Sequence, residues 1–77
     1  MTEATKQELK HDFVKRRVNL RKLRLSKEIT IDQMAKAINI SSRQYSLKEK
    51  GEYPFKDYEM LIISKVLQVP VQKLFFE

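Results

Sequence analysis

The chain has 77 residues and a mass of 9.2 kDa, which suffices for one small domain and excludes a two-lobed enzyme or a repeat array. Sixteen Lys and Arg side chains against ten Asp and Glu give a formal charge of +6, and this excess favours an anionic partner such as nucleic acid or an acidic membrane surface. The lack of Cys and the single His11 exclude a disulfide scaffold and the usual kinds of zinc site.

No segment has the pattern of a signal peptide or of a transmembrane helix. The N-terminal residues MTEATKQELKHDF contain no apolar core, and nowhere do about eighteen apolar residues run together. We therefore expect a soluble, cytoplasmic protein that does not enter a membrane.

The apolar residues recur three and four positions apart, and one Gly and two Pro offer little turn chemistry for hairpins. This pattern predicts an all-α protein of five helices. The start of the first helix has two interpretations. The capping box Thr5-Lys6-Gln7-Glu8 predicts a helix that runs unbroken to about Lys27, whereas Arg16-Arg17 interrupts the apolar stripe and favours an N-terminal arm over residues 1–12 with a shorter helix after it.

Two further capping boxes predict the next two helices. Thr30-Ile31-Asp32-Gln33 opens a helix that ends near Asn39, and Ser41-Ser42-Arg43-Gln44 opens one that runs to Lys50 before Gly51 stops it. Asn39 suits the left-handed backbone conformation that a sharp turn between them needs. Two short helices joined this tightly are typical of a helix-turn-helix DNA reader.

A loop and two more helices complete the predicted pattern. Residues 57–67 carry apolar side chains at helical spacing, and Pro70 suits the first turn of a last short helix. That helix ends on the apolar run Leu74-Phe75-Phe76, which is more than one helical turn can bury. We expect Phe76, with Val71, to pack against a second subunit.

Several short sequence segments form a pattern along the chain. Each segment alone would be a weak signal, but their combination at these distances is specific. They are Leu20-x-x-Leu23-Arg24, Ile29-Thr30 with Met34-Ala35, Ile38-Asn39-Ile40-Ser41, Tyr45-Ser46-x-x-Glu49-Lys50-Gly51, and Ile63-Ser64-Lys65-Val66-Leu67 before Val69-x-x-x-x-Leu74-Phe75. Together they resemble the Cro/CI-like, or XRE-type, helix-turn-helix regulators of phages and bacteria. The resemblance implies a five-helix, lambda-repressor-like domain, which we place at residues 13–77, that binds an operator in double-stranded DNA, commonly as a homodimer.

The predicted base contacts lie on the outward face of the second helix of the motif, because its N-terminal half would lie in a major groove. They are Ser42, Arg43, Ser46 and Leu47. Arg43 is the strongest of them, since a guanidinium group can bond guanine O6 and N7 together. Leu47 has two interpretations of about equal weight, as a contact to a thymine methyl group or as a surface apolar residue without consequence.

The predicted phosphate contacts surround both helices of the motif, and they are Gln33, Ser41, Gln44, Lys50 and Lys56. Many family members have Gln where this chain has Ile31, so that phosphate contact falls to Gln33 or to a main-chain N–H group. The resemblance also implies an ion pair between Arg24 and Glu49 that ties the first helix to the recognition helix.

Other side chains have both a functional and a structural interpretation. The basic groups Lys15-Arg16-Arg17 and Arg21-Lys22 form either phosphate contacts or a solvated helix face. Lys48 stands where an apolar residue is common, and we expect its stem to cover the core edge with the ammonium group turned outward. Three aromatic residues are expected to pack in the core or the loop rather than to stack on bases: Tyr53, Phe55 and Tyr58.

These patterns predict a sequence-specific, repressor-like transcriptional regulator. The chain offers no nucleophile–His pair, no Gly-rich phosphate loop and no carboxylate cluster, so we expect no enzymatic activity, no cofactor and no metal. Two alternatives remain open. The first is an interaction module with this fold that binds an antirepressor, a toxin or another regulatory protein, and it is favoured by Leu47 and by the weakly basic character of residues 31–77. The second is a membrane-surface peptide, which would use the basic first helix.

Overall fold

The computed structural model describes residues 17–76, and the regular structure within them is entirely helical. The helices are α1 (Val18–Ser26), α2 (Ile31–Ala37), α3 (Ser42–Glu49), α4 (Asp57–Leu67) and α5 (Val71–Phe75). The predicted all-α class with five helices is confirmed for this part of the chain. None of these helices has the length and apolar character needed to cross a bilayer.

The start of α1 decides against one of the two interpretations of the first helix, namely an unbroken helix that begins near Lys6. Arg17 has non-helical dihedral angles (φ −91°, ψ 75°), and its backbone N–H donates to the carbonyl of Glu49 at 3.1 Å. An unbroken helix as far as Lys27 is therefore wrong, because α1 starts at Val18. The capping box at residues 5–8 and the expected arm over residues 1–12 lie outside the described residues.

The two capping boxes of the helix-turn-helix are both present. The Thr30 hydroxyl accepts a hydrogen bond from the Gln33 N–H at 3.1 Å, and Gln33 Oε1 accepts one from the Thr30 N–H at 2.8 Å. Ser41 and Gln44 make the same exchange at the start of α3, at 3.1 and 3.3 Å. Each box satisfies N–H groups that a helix start otherwise leaves without a partner.

Both helices of the motif end slightly earlier than the sequence predicts. α2 ends at Ala37 rather than near Asn39, because Asn39 adopts the left-handed conformation (φ 60°) that makes the turn. α3 ends at Glu49 rather than at Lys50, and Gly51 follows with a φ of 89°. A side chain at position 51 would strain this conformation, which is why a glycine stops the helix there.

A single apolar core lies between the described helices. Its side chains are Leu20, Met34, Ala35, Ile38, Tyr45, Phe55, Ile63, Leu67, Leu74 and Phe75. Phe55 meets Tyr45 and Phe75 edge-on, with ring centroids 5.9 and 5.3 Å apart, and so joins α3 to α5. α1 contributes Leu20 to this core and packs Leu23 against it, so part of its apolar surface is used inside the domain, which argues against the membrane-surface alternative.

Arg17 belongs to the core rather than to a solvated or phosphate-binding cluster. The residue is 6% exposed, its Nη1 donates to the Phe75 carbonyl at 2.8 Å, and its guanidinium group lies 5.6 Å from the centroid of the Phe75 ring. Burial lowers the pKa of Arg17 from its usual value. The planar side chain thus fills the position where the apolar stripe is interrupted, and it fixes α5 against the start of α1.

Candidate DNA interface

One buried carboxylate fixes α3, the recognition helix, against α1. Arg24 donates from Nε and Nη2 to the two carboxylate oxygens of Glu49, each at 2.9 Å, and the Tyr45 hydroxyl donates to Oε2 of the same group at 2.6 Å. Arg24 Nη1 also donates to the Ile29 carbonyl at 2.9 Å, just before α2. The Arg24–Glu49 pair implied by the resemblance is therefore present, and it orients both helices of the motif.

The same network shifts the pKa values of two of its members. The hydrogen bond to Glu49 raises the pKa of the Arg24 guanidinium group. Burial, and then the hydrogen bond to Glu49, raise the pKa of the Tyr45 phenol. Both groups therefore keep the protons that they donate to the carboxylate at physiological pH.

A second ion pair fixes α3 against α4, and the sequence pattern gave no sign of it. Lys48 Nζ lies 2.6 Å from Oε1 of the fully buried Glu59, which also accepts the Lys56 backbone N–H at 2.8 Å. The Lys48 side chain is 13% exposed, so the expectation of an outward ammonium group is wrong. The buried anion draws the ammonium inward, where it lies 5.9 Å from the centroid of the Phe55 ring.

The predicted base-contact residues lie on the side of α3 that faces away from the core. Arg43 is exposed, and Ser42, Ser46 and Leu47 are half-buried. The spacing of four residues aligns Arg43 with Leu47, and Ser42 with Ser46 on the flank beside α2. The Ser42 hydroxyl donates to Asp32 Oδ1 of α2, so its oxygen remains as an acceptor.

The five predicted phosphate contacts are all exposed: Gln33, Ser41, Gln44, Lys50 and Lys56. The capping boxes use Oε1 of both glutamines, which leaves their Nε2 groups as donors toward solvent. The Ser41 hydroxyl accepts within its box and keeps its own proton to donate. Capping a helix and donating to a phosphate are therefore compatible in these side chains.

A cleft between α1 and α3 adds Arg21 to the candidate interface. It is lined by Arg21, Arg24, Ile31, Ser46, Glu49 and Lys50. Arg21 and Lys50 are exposed and have no ion-pair partner among the described residues. They place two cations beside Ser46 in the cleft that α1 and the start of α2 form with the recognition helix, and these cations can neutralise a phosphate there.

The opposite flank of α3 is bordered by the loop that follows it. Of the three aromatic residues around this loop, only Phe55 is buried, because it fills the space between Tyr45 and Phe75. Tyr53 is 57% exposed and Tyr58 is 53% exposed, so these two do not pack in the core. The Tyr58 ring lies beside the loop residue Lys56, whose Nζ is 5.9 Å from the ring centroid. Sequence spacing could not separate Phe55 from Tyr53, since both lie in a loop without periodicity, whereas Tyr58 is the second residue of α4.

Fold and surface together define a small helix-turn-helix domain whose recognition helix is fixed from behind by buried groups and presents Arg43 on its outer side. The family model described as helix-turn-helix matches residues 20–74, which is most of the chain. The chain therefore belongs to the Cro/CI-like, XRE-type helix-turn-helix family and is, in general terms, a DNA-binding regulator. Comparisons with curated proteins and with solved structures gave no match.

Proposed function

We propose that the protein is a sequence-specific transcriptional repressor that binds an operator as a homodimer in the cytoplasm, with α3 in the major groove. The observation that carries the proposal is the two-sided character of α3. Its one carboxylate, on Glu49, is buried and neutralised by Arg24, while its exposed side presents Arg43 and Leu47. A helix fixed from behind in this way can hold side chains against base edges.

The phosphate contacts fall on both flanks of α3. In the proposed complex, Arg21 and Lys50, which line the cleft beside α1, neutralise one strand, and the exposed Gln33 donates to the same strand from the start of α2. Gln44, which lines the opposite flank of α3, and the exposed Lys56 contact the other strand in the proposed complex. Contacts to both backbones fix the register of α3 on the duplex, while the outward side chains read the bases.

A selection from a random duplex library at moderate salt tests this function. The enriched duplex is then titrated against a scrambled duplex of the same length. We expect an inverted repeat with half-sites about ten base pairs apart, bound roughly a thousandfold or more tightly than the scrambled sequence. Binding that is sensitive to salt but indifferent to sequence would contradict the proposal.

A second candidate function is supported by the apolar surface beside Leu47 and Tyr53. In this case the domain is an interaction module, and the same side of α3 binds a regulatory protein with little DNA binding. Failure of the selection, together with saturable binding to one purified protein that the L47A variant loses, would favour this function over operator binding.

A further inference from the structure

A groove separates the outward side of α3 from the loop that follows it. Arg43, Gln44, Leu47, Lys48 and Tyr53 line this groove, which we call the Leu47–Tyr53 groove. Its apolar surface comes from Leu47 and from the ring of Tyr53, which is more than half exposed (57%). Both residues are open to a ligand that approaches α3 from outside.

The charges around the groove favour one kind of occupant. No carboxylate among the described residues lines it, and the charge of Lys48 is neutralised by Glu59 beneath the surface. Arg43 remains as an exposed cation without an ion-pair partner in the described part of the chain. The groove thus combines a small apolar surface with one unpaired cation. This combination suits a ligand that carries an apolar group on a polyanion.

We propose that the Leu47–Tyr53 groove receives the 5-methyl group of a thymine in the operator, with Leu47 and Tyr53 as specificity-determining residues. The inference rests on the proposed function, since its ligand is a base in the duplex that α3 reads. The thymine methyl group is the apolar feature of the major groove, and no other base of unmodified DNA presents one there. Tyr53, which lies outside α3, thereby becomes part of the reading surface.

The spacing along α3 adds a positional requirement. Arg43 and Leu47 are four residues apart, which is about 6 Å along a helix axis, whereas stacked base pairs are about 3.4 Å apart. If Arg43 bonds guanine O6 and N7, the thymine lies one or two base pairs from that guanine. The selected half-site should therefore contain a guanine and a thymine at this separation.

Replacing each thymine of the selected operator in turn by deoxyuridine tests the proposal, because uracil pairs as thymine does but lacks the methyl group. We expect one position per half-site at which the affinity of the wild-type protein falls about fourfold, because the favourable burial of one methyl group is lost. L47A and Y53A should bind the two duplexes equally. Y53F keeps the ring and should keep the preference for thymine.

Matched variants outside the groove provide the controls. L25A and Y58A remove a leucine and a tyrosine that are 50% and 53% exposed elsewhere, and both should retain the preference for thymine. Equal wild-type binding to every uracil duplex would overturn the proposal, as would a preference for thymine that survives in either L47A or Y53A. Either result leaves operator binding intact, whereas a selection without any enriched motif removes the proposed function itself.

Discussion

Glu49 is the residue on which the placement of the recognition helix most depends. Its side chain accepts hydrogen bonds from Arg24 and Tyr45, and its backbone carbonyl accepts the Arg17 N–H. The carboxylate is buried, so losing a partner would leave a charge without compensation in a medium of low polarity. The stability of the fold and the orientation of α3 therefore depend on the same group.

The Arg24→Ala substitution tests this dependence. We expect the free energy of unfolding to fall by about 3 kcal/mol, since a buried charge loses its partner. Urea denaturation followed by circular dichroism measures the change. Arg21→Ala is the matched control on the exposed side of α1, and its free energy of unfolding should stay within about 0.5 kcal/mol of the wild type. Similar losses of stability in the two variants would contradict a special contribution of the Arg24–Glu49 pair.

The raised pKa of Tyr45 predicts a loss of stability in alkali. Below about pH 10 the phenol is protonated in both the folded and the unfolded chain, so it contributes no pH dependence. Above that pH the unfolded chain releases the proton while the folded chain retains it, and stability falls by up to about 1.4 kcal/mol per pH unit. Urea titrations between pH 9 and pH 11 should show a shallower decline for Tyr45→Phe than for the wild type; parallel curves would contradict this.

Arg43 and Lys50 should differ in the kind of DNA binding that they support. Arg43→Ala should weaken the operator complex by about 1 to 3 kcal/mol and affect a scrambled duplex far less, because the lost contact is to a base. Lys50→Ala should weaken both complexes about equally and reduce the salt slope by about one. Fluorescence anisotropy at several salt concentrations measures both effects. Equal losses on both duplexes for Arg43→Ala would remove it from base readout.

At the scale of elements, the sequence predicted those features that depend on residues close together in the chain. The starts of α2 and α3 could be predicted because a capping box joins residues three positions apart, so its parts are visible side by side in the sequence. The Lys48–Glu59 pair spans two helices and eleven residues, and no periodic pattern links such positions. The burial of Arg17 depends on α5, 58 residues away, so the sequence showed only an interrupted stripe.

The end of α4 contains a conformation that its residue does not favour. Gln68 has left-handed dihedral angles (φ 57°, ψ 41°), which cost a non-glycine residue about 1 kcal/mol or more. Gln68→Gly should therefore raise the free energy of unfolding by up to about 1 kcal/mol, measured by urea denaturation. Asn39→Gly, at a similar φ of 60°, should gain less because Asn tolerates this region, so a larger gain at Asn39 would contradict the explanation.

At the scale of the whole molecule, the end of α5 provides the proposed dimer contact. Phe76 is 56% exposed although it directly follows the buried Phe75. Phe76→Ser should lower dimer formation in sedimentation experiments and abolish cooperative binding to an inverted repeat, while affinity for a single half-site stays the same. Leu61→Ser, at an equally exposed position (58%), is the control. An unchanged dimer in Phe76→Ser would place the subunit contact elsewhere.

The attachments of α3 have a consequence for how such a domain can change. Tyr45, Lys48 and Glu49 hold the helix through buried groups, and Arg43 and Leu47 take no part in that attachment. Positions 43, 47 and 53 can therefore be exchanged as a set without disturbing the scaffold beneath them. Under the proposed function, exchanging these positions would change the operator that the domain binds, and variants that differ only there would each regulate a different promoter without interfering with one another.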